Sequence, residues 1–497
     1  MNITMKTYAT FLLPALLASC GGSGGAGKDN GDKAKDTSGD VVVYLTSSDR
    51  TADFAKKSVN FSDKPNMSPT TVTLDPSVRH QTMDGFGAAL TGSSCYNLLR
   101  MTPADRTKFL KETFSDADGS AGFSYIRVAI GCSDFSLSEY SCCDLKGIEN
   151  FALQNEELNY VIPVLKEILA INPELKILGS PWTCPKWMKV NNLADRRPHD
   201  SWTSGHLNPD LRGDYAEYFV RWIKAMKAEG ILIHAVTPQN EPLNRGNSAS
   251  LFMGWDEQRD FVRDALGPAV RDAGLKTKIY AFDHNYNYDN MPEQVDYPVK
   301  IYNDPDAAAF LAGAAYHNYG GDKAELDDIR RKRPDKELIF TETSIGTWND
   351  GRNLAARLTE DMRETGLGTV NGGCRAVIVW NLMLDSERGP NRAGGCQTCY
   401  GAADISRNDY KSISRNSHYY VIAHLASVVK PGAARIGASG YSAAGITYSA
   451  FENTDGTYAF VLLNETEENK RITLSDGTHH FAFDVPRKSV ASYRWKK

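Results

Sequence analysis

Two glutamates stand at matching places in the sequence, each directly after an apolar run. Glu241 lies in the segment TPQNEP, residues 237–242, and Glu342 lies in FTETS, residues 340–344. Two carboxyl groups that face one pocket can divide acid and base work when their environments separate their pKa values. In glycoside cleavage, one protonates the leaving oxygen while the other attacks the anomeric carbon or activates water. A single glutamate at a strand end is usually a solvated loop residue, but the matched pair favours catalysis.

The strand ends that carry these glutamates belong to a longer alternation of short apolar runs and helical stretches. The runs lie around residues 85–87, 125–130, 177–182, 233–237, 278–282, 313–319, 338–343 and 376–382. Between them, residues 214–230 have apolar side chains at helix-face spacing, and Thr102-Pro103 supplies an N-cap and a first-turn proline. Eight such units in about 300 residues predict an α/β fold, a (β/α)8 TIM barrel. Active sites of such barrels lie at the carboxyl ends of the strands, where the fourth and seventh runs place the two glutamates.

A doubly wound open sheet is the alternative architecture. The turn Gly85-Phe86-Gly87 continues to Leu90 rather than to a third glycine. The dinucleotide-binding fingerprint therefore fails, which favours the closed barrel.

Both ends of the chain are rich in short β-branched segments bounded by turn residues. They lie at residues 41–46, 70–74, 445–449, 458–463, 470–474 and 489–493. This pattern predicts an antiparallel β-sandwich attached to the barrel and built from both chain ends. We therefore expect residues 41–78 to contribute strands to the sandwich, residues 79–415 to form the barrel, and residues 416–497 to complete the sandwich.

The first forty residues have the pattern of an export signal followed by a tether. Lys6 precedes an apolar run that ends in Leu17-Ala18-Ser19-Cys20, which is typical of a bacterial lipoprotein signal peptide over residues 1–19. Cys20 would then be the lipidated first residue of the mature chain, and the glycine-rich residues 20–40 a flexible tether. A plain secretory peptide with a chance cysteine is the alternative. We expect an exported protein of the outer membrane, held at the cell surface only by its N-terminal lipid anchor.

Composition and cysteine count exclude several classes of protein. With 56 Lys and Arg against 61 Asp and Glu, the net charge of −5 argues against a nucleic-acid partner, which would need a basic surface. Without Cys20, eight of the nine cysteines remain, an even number that permits disulfides in an exported protein. Cys396 and Cys399 form one CxxC motif, and no second CxxC or well-placed histidine completes a zinc site. We therefore expect a local disulfide there and no metal.

Several segments in chain order resemble glycoside hydrolase family 30, a clan A family that includes glucosylceramidases and β-1,6-glucanases. The resemblance covers residues 40–497, and the segments that carry it are 83–89 (MDGFGAA), Arg127 with 132–136 (CSDFS), 180–189 (SPWTCPKWMK), 237–242, 317–319 (HNY), 341–343 and 380–382 (WNL). The family's fold is a barrel beside a β-sandwich built from both chain ends, in agreement with the pattern of elements.

The resemblance implies a retaining double displacement in which Glu241 is the acid/base and Glu342 the nucleophile. Asn240 would donate a hydrogen bond to the sugar 2-hydroxyl, a contact that tightens in the transition state. Tyr319 would lie beside the nucleophile. Arg127, at the end of the second strand, would keep a nucleophilic carboxylate ionised through its charge.

The remaining residues implied by the resemblance would contact the sugar or order the site. Asp134 and Trp182 would bind hydroxyl groups, Trp380 would form a stacking floor, and His317 would help to order the network. Barrel packing is an alternative role for both tryptophans, and a satisfied core histidine is an alternative for His317.

The chemistry sets requirements for the two glutamates. The nucleophile must be ionised, and the acid must begin protonated, so we expect burial or the nucleophile's charge to raise the pKa of Glu241. Retention predicts carboxyl groups about 5–5.5 Å apart. Neither a metal nor an organic cofactor is required.

The substrate is expected to be a β-glucan, and three activities remain open. The GGCxxC motif at residues 394–399, in the loop after the eighth strand, resembles the β-1,6-glucanase branch and favours endo-acting hydrolysis. The alternatives are an exo-acting β-glucosidase or glucosylceramidase-like enzyme and, more remotely, a surface lipoprotein that binds glycan without cleaving it. Loops at residues 191–209 and 285–292 are expected to set the accepted chain length, and we expect a monomer.

Overall fold

The computed structural model describes residues 39–286 and 291–497. The predicted signal peptide, Cys20 and nearly all of the predicted tether lie outside the described residues. So does part of the loop at residues 285–292.

A sheet of eight parallel strands forms the centre of the molecule. Its strands are β4 (Gly85–Ala88), β5 (Tyr125–Ala129), β6 (Lys176–Ser180), β9 (Ala235–Val236), β10 (Lys278–Asn285), β11 (Gly313–His317), β12 (Glu337–Glu342) and β14 (Cys374–Val379). They pair in the order β4-β14-β12-β11-β10-β9-β6-β5. All eight coincide with the apolar runs of the sequence.

The strands at the two ends of this order, β4 and β5, meet and close the sheet into a barrel. Ala89 and Arg127 form a parallel bridge, and the backbone N–H of Leu90 donates to the carbonyl of Arg127 at 2.8 Å. Large and small side chains alternate in the interior, where Tyr125, Leu178 and Ala235 are among the buried residues. The closed barrel is confirmed, and the open sheet was the wrong alternative.

Helices surround the barrel. They are α1 (Gly92–Arg100), α2 (Pro103–Phe114), α3 (Ile162–Ile171), α4 (Arg212–Ala228), α5 (Trp255–Phe261), α6 (Gly267–Asp272), α7 (Tyr297–Tyr302), α8 (Pro305–Ala308), α9 (Ala324–Lys332), α10 (Leu354–Asp361), α11 (Leu367–Asn371) and α12 (Ser417–Ala426). The two predicted helices are confirmed. Thr102 caps α2 by accepting from the N–H of Asp105, and Gly230 follows α4 with φ of 84°.

A second sheet of nine strands packs beside the barrel. Its strands are β1 (Val41–Ser47), β2 (Ala55–Val59), β3 (Thr71–Thr82), β19 (Ala434–Gly440), β20 (Ile446–Glu452), β21 (Thr457–Asn464), β22 (Lys470–Ser475), β23 (His480–Val485) and β24 (Ser489–Lys496). N-terminal β1 pairs antiparallel with C-terminal β24, and β3 lies between β19 and β22. The predicted union of both chain ends in one sandwich domain is therefore confirmed.

The barrel passes into the sandwich later in the chain than residue 416. Helix α12 packs on barrel strands β4 and β14, and all ten of its residues are buried. From α12, His424 reaches the sandwich, where its ring nitrogens lie 2.8 Å from the hydroxyl oxygens of Thr46 and Ser492. The structural transition thus follows Ala426.

Short strands in the loops shape the carboxyl end of the barrel. They are β7 (Lys189–Val190), β8 (His206–Leu207), β13 (Ile345–Gly346), β15 (Met383–Asp385), β16 (Cys399–Tyr400), β17 (Ala403–Ile405) and β18 (Ile413–Arg415). Among the described residues, no helix combines the length and the apolar character that a membrane crossing requires.

Candidate active site

Glu241 and Glu342 meet at the carboxyl end of the barrel. Glu241 follows β9 and Glu342 ends β12, and their exposed fractions are 7% and 6%. One carboxylate oxygen of each, together with a ring nitrogen of His317, lies within 4.8 Å of the others. This separation suits direct attack by one carboxylate on a sugar carbon, for which carboxyl groups about 5–5.5 Å apart are typical.

The carboxylate of Glu342 receives two hydrogen bonds. Nη1 of Arg127 donates to Oε2 at 2.5 Å, and the hydroxyl of Tyr319 donates to Oε1 at 3.0 Å. Burial raises the pKa of Glu342, and the charges of His317 and Arg127 only partly offset that effect. Both donors nevertheless fix the oxygens in place, and the contact expected of Tyr319 with Glu342 is present.

Arg127 connects the nucleophile to the rest of the site. Its guanidinium is fully buried, and Nη2 donates to Oδ1 of Asn240 and to Oδ2 of Asp283, both at 2.7 Å. Because Asn240 accepts with its carbonyl oxygen, its NH2 group is the end that can donate to a sugar hydroxyl. The positions of Arg127 and Asn240 are thus compatible with their predicted roles.

Asp283 is a member of the site that sequence reasoning missed. It is fully buried and accepts from the hydroxyls of Thr237 and Thr341 at 2.6 Å, as well as from Arg127. Burial opposes its charge, but Arg127 and His317 outweigh that effect and hold the pKa of Asp283 well below its usual range. Its position directly after Phe282, where the fifth apolar run ends, is the signal that could have found it.

The backbone around Asp283 departs from regular strand geometry. Phe282 and Asp283 have φ of 71° and 70°, and the pairing register of β10 shifts between Phe282 and His284. Glu241 and Asn381, at the ends of other barrel strands, also have positive φ. Such sparsely populated conformations often occur at functional sites.

His317 shares a hydrogen bond with Glu241. Its Nδ1 lies 3.3 Å from Oε1 of Glu241, and its Nε2 lies 3.1 Å from Oδ1 of Asp283. Burial would lower the pKa of His317, but the charge of Glu342 and the bonds to Asp283 and Glu241 raise it to about 9. The ring is therefore protonated at neutral pH and donates to both carboxylates.

The electrostatics of Glu241 differ from the expectation of a raised pKa. Burial alone would raise it, but the hydrogen bond from His317 and the nearby histidine charges outweigh burial and lower the pKa to about 2. Asn244 adds a hydrogen bond of 2.8 Å to Oε2. The proton available to a leaving group is therefore held by the His317–Glu241 pair and lies mainly on the histidine.

Two aromatic side chains and one acid form a wall of the site. The rings of Trp182 and Trp380 stack with centroids 5.1 Å apart, and the residues are only 2% and 3% exposed. Asp134 is 9% exposed, and burial together with the charges of Glu342 and Glu241 raises its pKa to about 7. The structure brings these predicted residues to one place, and their contacts with sugar stay a prediction.

Glu241, His317 and Glu342 also have ligand atoms close enough together to hold a metal ion. These are the same atoms that attack and proton transfer require. A bound cation would occupy the nucleophile's lone pairs, so this arrangement fits acid, base and nucleophile better than it fits a metal centre.

The loop at residues 389–399 packs against the wall that contains Asp134. Cys396 and Cys399 form a disulfide, which confirms the predicted local bridge. Nη2 of Arg392 donates to the carbonyls of Ser133 and Ser248, so it joins this loop to those after the second and fourth barrel strands. The other described cysteines are buried free thiols: Cys95, Cys132, Cys142, Cys143, Cys184 and Cys374.

Comparisons with known proteins agree with this geometry. The model of the Glycosyl hydrolase family 30 TIM-barrel domain matches residues 83–429, and that of the Glycosyl hydrolase family 30 beta sandwich domain matches residues 432–493. The chain is 31% identical over 434 residues to Endo-1,6-beta-D-glucanase BGN16.3 of Trichoderma harzianum, covering 83% of this chain and 84% of that protein. It is 25% identical over 455 residues to Lysosomal acid glucosylceramidase of Mus musculus, and the match covers 86% of this chain and 83% of that protein.

Among solved structures, the endo-beta1,6-glucanase BT3312 superposes with a TM-score of 0.91 at 69% sequence identity. The match covers 93% of this chain and 100% of that one.

Proposed function

Because this chain belongs to glycosyl hydrolase family 30, we propose that it is a retaining endo-β-1,6-glucanase. The observation that carries the mechanism is the meeting of Glu241 and Glu342 within 4.8 Å on one face of the barrel. The 69% identical endo-β-1,6-glucanase supports the choice of linkage.

In the first step, a carboxylate oxygen of Glu342 attacks the anomeric carbon. The bond from that carbon to the glycosidic oxygen breaks, its electron pair goes to the oxygen, and Glu241 supplies the proton. Arg127 and Tyr319 hold the nucleophile's two oxygens, so the attacking atom is positioned before the substrate arrives. The product is a glucosyl ester of Glu342 and a free sugar chain.

His317 supplies the proton through Glu241. Nδ1 of His317 lies 3.3 Å from Oε1 of Glu241, so proton transfer along this hydrogen bond makes Glu241 the acid when the leaving oxygen gains charge. Asp283 stabilises the imidazolium from the other side of the ring.

In the second step, water replaces the nucleophile. Glu241 removes a proton from water and returns it to Nδ1 of His317, the hydroxyl oxygen bonds to the anomeric carbon, and the ester bond to Glu342 breaks, which restores both carboxylates and the imidazolium. Two inversions give overall retention of the β-configuration.

The linkage and the mode of attack are tested by sizing products from linkage-defined β-glucans. We expect early release of oligosaccharides from β-1,6-glucan and little action on β-1,3- or β-1,4-glucans. Glucose as the sole early product would instead favour an exo-acting enzyme, the alternative to which the similarity to a glucosylceramidase points.

The Glu342→Gln variant should bind the glucan without turnover, with a loss of kcat of about 10⁴-fold or more. A wild-type protein that binds a glucan and cleaves none would support the non-catalytic alternative.

We further propose that the enzyme is an exported lipoprotein, monomeric and attached at the outer face of the outer membrane through Cys20. The support is the Leu17-Ala18-Ser19-Cys20 pattern, which lies outside the described residues. Labelling with a fatty acid should be lost in Cys20→Ser, and protease treatment of intact cells should remove the wild-type protein. Resistance to protease in intact cells would place it on the periplasmic side, and sedimentation of the soluble chain measures its oligomeric state.

A further inference from the structure

A polar crevice opens beside the nucleophile, between the loops that follow β11 and β12. Its volume is about 330 Å³, near the lower end of the roughly 300–1,000 Å³ of small-ligand sites. Tyr319 and Thr343 line it next to Glu342, while Asp322 and Glu360 supply acidic groups. Thr343 follows Glu342 in the chain and the hydroxyl of Tyr319 donates to Glu342, so the crevice begins next to the reacting carboxylate.

Two of the aromatic side chains that line this crevice are exposed, in contrast to Trp182 and Trp380, although a third, Tyr286, is buried. Trp348 is 52% exposed and Tyr319 is 43% exposed, whereas Trp182 and Trp380 are almost fully buried. The half-exposed indole beside a polar crevice offers an aromatic face that a ligand can cover. The C–H face of a β-glucosyl ring is apolar and has the area to lie on such an aromatic ring.

The indole of Trp348 is held in place by the backbone under it. A Cβ atom added at Gly346 would lie 1.9 Å from Cζ3 of Trp348, so the indole packs directly on the Gly346 backbone. Gly346 in turn pairs with Cys399 between β13 and β16, and the N–H of Thr347 donates to the carbonyl of Thr398 at 3.0 Å. The loop closed by the disulfide thus fixes the position of an exposed ring, which reduces the entropy lost when a ligand stacks on it.

We propose that this crevice is the subsite for the first glucosyl unit on the leaving-group side, with the exposed indole of Trp348 as its platform. The inference rests on the proposed function and adds a position for the leaving sugar. The wall of Asp134, Trp182 and Trp380 lies at the ends of the second, third and eighth barrel strands. The crevice lies at the sixth and seventh strands, on the other side of Glu342.

The flexibility of a β-1,6 linkage explains why binding of the leaving sugar would need such a platform. A β-1,6 bond inserts a CH2 group between the two rings, so the leaving sugar has one more free torsion than in a ring-to-ring linkage. Ordering that torsion costs conformational entropy. A stacking surface beyond the nucleophile holds the leaving ring and brings its O6 to the acid.

The test compares substrates with and without a leaving-group sugar. In Trp348→Ala we expect kcat/KM on short β-1,6-gluco-oligosaccharides to fall about tenfold, while hydrolysis of β-gentiobiosyl fluoride changes by less than about twofold. The fluoride carries the same glycone but no leaving sugar. Transfer of the glycosyl-enzyme to added gentiobiose, measured against hydrolysis, should also fall about tenfold. Trp348→Phe keeps a ring and should restore most of each loss.

Leu232→Ala is the matched control, because it truncates a 67% exposed apolar side chain just before β9, at the opposite end of the barrel. Equal losses on the oligosaccharides and the fluoride would overturn the proposal, as would unchanged oligosaccharide and transfer kinetics. A wild-type enzyme that ignores β-1,6-glucan would reject the proposed function instead. Transfer from an activated donor to other disaccharides would then still decide whether Trp348 binds a leaving-side sugar.

Discussion

Nδ1 of His317 lies 3.3 Å from Oε1 of Glu241, so the acid/base carboxylate and a buried histidine form one hydrogen-bonded pair. The pKa of His317 is raised to about 9 and that of Glu241 is lowered to about 2. The pair therefore binds one proton across the neutral range. Sequence reasoning assigned the proton to Glu241 alone, and the structure distributes it over two residues.

This pair predicts how His317→Gln changes the pH profile. In the wild type, activity should fall as pH rises through about 9, the pKa of His317, because the pair then loses its proton. In the variant, Glu241 must hold the proton alone, and a carboxyl group loses it at lower pH. The alkaline limb of the pH profile of kcat/KM on β-1,6-gluco-oligosaccharides should move to lower pH. The acidic limb should move to higher pH, because the imidazolium that lowers the pKa of Glu342 is gone.

His234→Gln provides the control for this experiment, because His234 is partly buried but lies before β9, at the other end of the strand from Glu241. Its profile should match the wild type. An unchanged alkaline limb in His317→Gln would show that Glu241 does not depend on the histidine for its proton.

Removing the acid separates substrates by their leaving groups. Glu241→Ala should lower kcat on β-1,6-glucan by about 10²–10⁴-fold, the usual contribution of a general acid. A dinitrophenyl β-glucoside needs little proton assistance, so formation of the glycosyl-enzyme should be nearly unaffected. Added azide should then attack the intermediate and yield a β-glucosyl azide. Equal losses on both substrates, with no azide product, would contradict the assignment of Glu241.

Much of the fold could be predicted because local patterns and global topology agree. Eight apolar runs separated by amphipathic helices correspond one to one with the barrel strands, and the β-branched ends form the sandwich. Strands β2, β19 and β23 were missed, since each is short or half-exposed and lacks a continuous apolar run. Helix α12 lies just beyond the predicted barrel boundary at residue 415, and only its packing on β4 and β14 shows that it belongs with the barrel.

Site residues could be predicted where residue type and strand-end position were enough, and they were missed where the role depends on neighbours in three dimensions. Glu241 and Glu342 are visible as carboxylates at strand ends. Asp283 has the same kind of position, but its role comes from Arg127 and His317, which approach it from other strands. Likewise, the lowered pKa of Glu241 depends on a ring that follows it by 76 residues in the chain. Such effects come from three-dimensional neighbours and carry no local signal.

The contact between the disulfide loop and Asp134 can be tested with one methyl group. A Cβ atom at Gly395 would lie 2.2 Å from the carbonyl oxygen of Asp134, so Gly395→Ala must displace one loop from the other. If Asp134 binds the sugar, KM for β-1,6-gluco-oligosaccharides should rise about tenfold with a smaller change in kcat. Gly213→Ala in α4 adds the same methyl group where no atom lies within 4 Å, and it should leave the kinetics unchanged. Unchanged KM in Gly395→Ala would argue against a role for this contact in binding.

The buried histidine between barrel and sandwich predicts how stability depends on pH. Burial lowers the pKa of His424 from 6.5 to about 3, and its ring bonds the hydroxyls of Thr46 and Ser492 in the neutral form. The unfolded chain therefore binds a proton below pH 6.5 that the folded protein does not, and stability falls as pH decreases from 6.5 towards 3. At pH 5 this single group costs about 2 kcal/mol of the free energy of unfolding.

His424→Gln removes this titration while keeping a polar side chain of similar length. The variant should be less stable at pH 7.5, because one of the two hydrogen bonds is lost, yet its melting temperature should fall less between pH 7.5 and pH 5 than that of the wild type. His480→Gln makes the same change at a half-exposed position on β23, and its pH dependence should match the wild type. If His424→Gln and the wild type lose stability in parallel over this range, protonation of His424 does not drive acid unfolding, and the buried neutral ring does not couple the two domains to pH.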